Sequence, residues 1–243
     1  MRLLIWALFH LTCDRVAEVV LKPYSSASVH TGVKIGIGNC AVTLYAIPIY
    51  LLITLYTACV TPMRTAHERV FSFSPWHFTM CEWLCSISLY EVVLYMINGK
   101  PFVFWIHHIV VCATSYAATR IQQFLPLYAL VSFVEFTGIP LCLVQLLSHN
   151  ESSASYMCSG IAFWGSFFIL RVVGLPVCLA LLVNDMHELH VTNDEALEDV
   201  SQTAIFVAIF SMSTLWVMSV QWFQTIHGRM MVAVRQLADK KRC

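Results

Sequence analysis

The chain has 243 residues, of which 58% are hydrophobic and only 12% charged, and its 14 Lys and Arg balance 14 Asp and Glu to a formal net charge of zero. A soluble domain is about one quarter charged, so a mean hydropathy of +0.71 excludes an ordinary globular fold. The balanced charge gives no electrostatic footing for nucleic acid. The ten cysteines include no CxxC pair and mostly fall in apolar windows. That pattern reads as small hydrophobes in helices and not as a disulfide framework.

In chain order, the opening run Leu3 to Leu11 is too short to span and meets Asp14 and Arg15 without a small-residue cleavage site. It reads as an interfacial helix or part of an imperfect span, not a signal peptide. Six apolar windows of spanning length follow, at 36–60, 78–98, 102–119, 124–147, 157–183 and 204–226. The fold class expected is therefore all-α: a polytopic transmembrane helical bundle of six spans, or seven if the opening run completes one. Residues 1–35 form the N-terminal segment, 36–226 the transmembrane domain and 227–243 a basic tail.

Lys and Arg orient this bundle. With six crossings and a cytosolic C-terminus, ten of them fall on the cytosolic side, among them Lys22, Lys34, Lys100 and Arg229. Three face the other way, Arg64, Arg69 and Arg120, while Arg171 lies within a span. This bias favours both termini in the cytosol, and a seventh span at the start would flip only the N-terminus. The tail Lys240-Lys241-Arg242-Cys243 then fits a dilysine retrieval pattern, which points to the endoplasmic reticulum membrane. The sequon Asn150-Glu151-Ser152 falls on the cytosolic side and is expected to stay unmodified.

Charge at bilayer depth is costly and is normally retained for function. Here the intramembrane set is Glu91, His107, His108, Glu135 and Arg171. Helical periodicity groups polar residues into stripes: Ser88, Glu91, Tyr95 and Asn98; His108, Cys112, Ser115 and Thr119; Tyr128, Ser132, Glu135, Gly138, Cys142 and Gln145; and Ser211, Thr214, Met218, Gln221 and Thr225. They suggest a polar interior that accepts a headgroup or a reacting group. The competing account is that Ser, Thr and Cys are the small residues with which membrane helices pack.

One HH pair and the distant His187 and His190 supply too few ligands for a di-iron centre, and no spacing predicts zinc. The latter pair reads as exposed loop. No GxSxG or P-loop occurs. No metal and no tightly bound cofactor is expected; acyl-CoA enters as a candidate substrate. An imidazole near neutrality can accept a proton from a hydroxyl, or carry an acyl group itself, with a carboxylate fixing its tautomer.

Several stretches, in order, are similar to a known family. Glu68-Arg69-Val70-Phe71-Ser72-Phe73-Ser74-Pro75, Ser88-Leu89-Tyr90-Glu91, Trp105-Ile106-His107-His108-Ile109-Val110, Glu135 followed by Pro140, and Leu170-Arg171-Val172-Val173-Gly174-Leu175-Pro176 resemble the TLC domain. Ceramide synthases, translocating-chain-associating membrane proteins and lipid-homeostasis proteins share this domain. Ceramide synthases follow the HH with an HD…D pattern, where this chain reads Leu130-Val131-Ser132-Phe133-Val134-Glu135. The resemblance is therefore to the smaller lipid-homeostasis proteins, and implies a role in membrane lipid metabolism. Two readings stay open: an acyltransferase using His107 and His108, with Glu91 or Glu135 orienting the imidazole and Arg171 holding an anionic group; or a non-enzymatic regulator or cargo adaptor that binds lipid or protein.

Overall fold

The structure, a computed structural model, describes residues 2–21, 34–60, 63–99, 102–148, 153–192 and 195–240. Lys22, Lys100, the sequon at 150–152 and the last three tail residues lie outside the described residues. Among those described, every regular element is helical. In chain order they are α1 (Arg2–Leu21), α2 (Lys34–Val60), the short α3 (Ala66–Phe71), α4 (Pro75–Ile97), α5 (Phe102–Ile121), α6 (Leu125–Leu146), α7 (Ala154–Val191) and α8 (Gln202–Lys240). Four of them, α4, α6, α7 and residues 202–232 of α8, are long and apolar enough to cross a membrane. The chain is a helical membrane bundle, as its hydropathy predicts.

Local chemistry sets the helix starts. Thr65 and Glu68 form a reciprocal capping box on α3, which satisfies two amides the first turn leaves free. Ser74 caps α4, with Pro75 in the first turn where a missing N–H costs nothing. Ser153 caps α7.

The central packing is α4 against α5, with α2 and the second half of α6 on one side and α8 closing the other. The opening segment is a 20-residue helix that docks on α2 and α4. His10 and Asp14 are buried in that seam, the His10 ring nitrogens lying 2.8 Å from the Tyr45 hydroxyl and 3.3 Å from that of Ser86. These polar residues interrupt the apolar run at Asp14, and for that reason the sequence reads as too short there.

The segment carrying His187 and His190 differs from expectation. Asp185, His187 and His190 lie on the last turns of α7, not in a loop, because the helix continues to Val191. Asp185 is 1% exposed and accepts from both Nε and Nη2 of Arg69 on α3, at 3.0 and 2.6 Å. This pair ties the α2–α4 connection to the end of α7.

Candidate functional site

Glu91 sits near the C-terminal end of α4 and His108 in the second turn of α5, facing one another across the main helix seam. The His108 Nδ1–H donates to Glu91 Oε2 at 2.8 Å. A carboxylate only accepts, so this contact puts a ring proton on Nδ1; in the neutral form of the ring Nε2 is then the acceptor. The Tyr95 ring packs against His108 at 5.2 Å, tilted by 53°, which restricts the imidazole. His107, the next residue, turns toward α8: its ring lies 4.9 Å from that of His108 and 5.5 Å from Trp222. Only 4% of its surface is exposed.

Glu135 and Arg171 are carried on the two irregular stretches of the bundle. Residues Ser132–Thr137 of α6 wind as a 3₁₀ segment, and Phe168–Val173 of α7 as a π segment. Prolines stand three residues after each, Pro140 and Pro176. A proline removes the i→i−4 bond and crowds the earlier carbonyl, so the ladder must rewind locally. The carbonyl of Val172, which Pro176 cannot serve, accepts instead from the Trp216 indole of α8 at 3.0 Å. The rewinding turns Arg171 inward. Its Nη2 reaches Glu135 Oε1 at 3.6 Å, its Nε donates to the Thr137 hydroxyl at 2.9 Å, and the guanidinium lies over the Phe167 ring at 5.5 Å.

All five ionisable residues singled out in the sequence thus come together. Arg171 stands within electrostatic range of both histidines and of Glu91 and Glu135. The geometry also assigns the carboxylates: Glu91 orients His108, while Glu135 neutralises Arg171. Thr137, Phe167 and Trp222 complete the cluster. Sequence reading missed them, because a lone Thr or aromatic in an apolar helix carries no signal of its own.

Beside the cluster, α5, α6 and α8 line a narrow cavity that is partly open to the surroundings. Its lining is mainly apolar and runs from Val111, Glu135 and Leu215 to Ile121, Phe124 and Ala204. The ten-residue rise of α5 makes that roughly 15 Å. Glu135 and Val111 mark one end, and Val111 follows His107 and His108 by about one turn of α5. Gln123 closes the other, donating to the Asp199 carbonyl at 2.8 Å and accepting from the Ser201 amide at 2.9 Å.

The hydroxyl stripes do not make a polar interior. Ser115 and Ser211 lie 2.7 and 2.6 Å from carbonyls one turn back on their own helices, and Ser115 meets the Tyr128 hydroxyl across α5 and α6 at 2.6 Å. Hydroxyls satisfied in this way pack as small residues. What the cavity presents to a guest is aliphatic, with the charge confined to one end.

Outside the spans, Asp185 raises the already high pKa of Arg69 through its hydrogen bonds, so that guanidinium stays charged. Among the described residues, no three His, Cys, Asp or Glu side chains converge as a metal site requires.

The family whose model matches the chain is the TLC domain, over residues 38–227. Neither a curated protein nor a solved structure matches it.

Proposed function

The chain belongs to the TLC domain family, and we propose that it acts in membrane lipid metabolism by transferring an acyl group from acyl-CoA to a lipid hydroxyl. The observation that carries this reading is the 2.8 Å Glu91–His108 pair, with His108 one turn of α5 from Val111 in the lining of an aliphatic cavity. The acyl tail lies in the cavity, with its thioester at the Glu135 end. Nε2 of His108 takes the proton of the acceptor hydroxyl as its oxygen attacks the thioester carbonyl carbon. The C–S bond breaks, and the same imidazole returns the proton to the departing thiolate. Glu91 supports the imidazolium that forms in between. Arg171 offers its guanidinium to an anionic group of the acceptor, in exchange for Glu135. His107 positions the neighbouring ring through its contacts with His108 and Trp222.

Residence in the endoplasmic reticulum, with the C-terminus in the cytosol, follows in this reading from the Lys and Arg distribution and the dilysine tail. A cytosolic acyl-CoA then meets the bundle at the end where α4 meets α5.

A second reading, a non-enzymatic regulator of lipid composition or a cargo adaptor, draws on the closure of the same cluster. His107 and Arg171 are 4% and 6% exposed, and each charged group already has a partner. An untargeted lipidome of a deletion strain separates the two. The enzyme reading predicts that wild type restores acyl composition, whereas His107→Ala/His108→Ala and the Asn pair both fail at equal abundance. Full rescue by the Asn pair contradicts it and favours binding.

A further inference from the structure

Among the described residues the cysteines form no disulfide, yet two of them face each other across the seam that carries the Glu91–His108 pair. Cys85 of α4 and Cys112 of α5 bring their sulfurs to 3.7 Å, and the Cys85 thiol also lies 3.5 Å from the Cys112 carbonyl. A disulfide needs about 2.0 Å between sulfurs, and Cβ atoms about 3.8 Å apart. The two thiols are thus in van der Waals contact on adjacent helices, and the sulfurs have only that remaining gap to close. Cys85 is 3% exposed and Cys112 half-buried, so the α5 sulfur is the one a reactant meets first. Cys112 stands one turn along α5 from His108, on the same face.

We propose that Cys85 and Cys112 form a redox pair within the bundle that organic hydroperoxides of the bilayer oxidise to an α4–α5 disulfide. The inference stands apart from acyl transfer and uses none of its residues. Its chemistry is balanced in two steps. Cys112 sulfur attacks the outer oxygen of the hydroperoxide, the O–O bond breaks, and the products are a Cys112 sulfenic acid and the lipid alcohol. The Cys85 thiol then attacks the sulfenic sulfur, forming the S–S bond and releasing water. The hydroperoxide is reduced by two electrons and the dithiol is oxidised by two. The oxidant must be lipid-soluble, because a pair inside the bundle is closed to aqueous oxidants; aqueous thiol reductants are shut out for the same reason, so the bond persists once formed. The product fixes α4 against α5 beside the histidine pair.

The test uses the full chain in lipid nanodiscs exposed to cumene hydroperoxide, then unfolded, alkylated and digested for mass spectrometry. The expected result is a Cys85–Cys112 crosslinked peptide lighter by two hydrogens, lost on reduction, while Cys178 remains alkylated. Cys85→Ser should leave a Cys112 sulfenic acid that dimedone traps, and Cys112→Ser should leave Cys85 unoxidised. Two results overturn the proposal. In one, both thiols stay alkylatable at doses that already convert methionines of the same chain to sulfoxide. In the other, Cys112 is oxidised but pairs with a cysteine other than Cys85. Neither outcome bears on acyl transfer.

Discussion

Arg171 is held by three kinds of contact at once: an ion pair to Glu135, a hydrogen bond to Thr137 and the face of Phe167. Removing one of them should be graded, not catastrophic. Thr137→Val deletes the acceptor within a buried pair and should cost about 1–3 kcal/mol, read as a lower unfolding midpoint of the detergent-purified protein. A value indistinguishable from wild type would mean that the hydroxyl does not hold the guanidinium. The Arg69–Asp185 pair is a harsher case, because Asp185 is 1% exposed and has few alternatives. Arg69→Met should cost roughly 3–5 kcal/mol, the range for leaving one buried charge unpaired; the double change Arg69→Met/Asp185→Leu should recover much of it. At this scale the five charged site residues were legible, since charge inside an apolar helix announces itself. Thr137 was not, and neither was the partner of Arg69, which lies 116 positions away and is fixed only by the tertiary fold.

Helices, by contrast, were legible wherever the apolar run was unbroken. The windows at 78–98 and 124–147 match α4 and α6 within a few residues. α1 was legible as a helix but not in its length, because His10 and Asp14 interrupt the apolar run and are buried against α2 and α4. The rewinding at 132–137 and 168–173 could not be read either: a proline signals a broken ladder, but packing decides which way the turn opens. Trp216→Phe tests that account, since it strips the donor from the Val172 carbonyl. It should cost about 1–3 kcal/mol, measured as the unfolding midpoint in detergent, and an unshifted midpoint would show that the carbonyl finds another partner. Close packing makes a second element-scale prediction. A Cβ on Gly138 would stand 3.1 Å from Thr43 Cγ2, so α2 and α6 approach as closely as that glycine allows. Gly138→Val should destabilise by about 1–3 kcal/mol through overpacking, and Thr43→Ala in that background should recover part of the loss.

For the whole molecule, the N-terminal helix bears on topology. If α1 crosses with the other long helices, Arg2 changes sides, and the Lys and Arg bias becomes nine against four, still favouring a cytosolic C-terminus. A tag at the N-terminus should then be protected from protease in sealed microsomes, and one at the C-terminus cleaved. Asn150 should carry no glycan in the same preparation; a glycosidase-sensitive shift lost in Asn150→Gln would reverse the orientation. Lys240→Ser/Lys241→Ser should release the protein to later compartments, visible by imaging, and unchanged residence would reduce the tail to a basic anchor.

Acyl transfer by the histidine pair is tested most directly with purified protein, labelled acyl-CoA and a panel of lysophospholipid and phospholipid acceptors. The account predicts label in one acceptor class, reduced by about two to four orders of magnitude in His108→Ala, the size of a lost general base. Glu91→Gln should lower turnover less, because it weakens the orientation of the ring without removing the base. Turnover that survives His107→Ala, His108→Ala and the double change would contradict it.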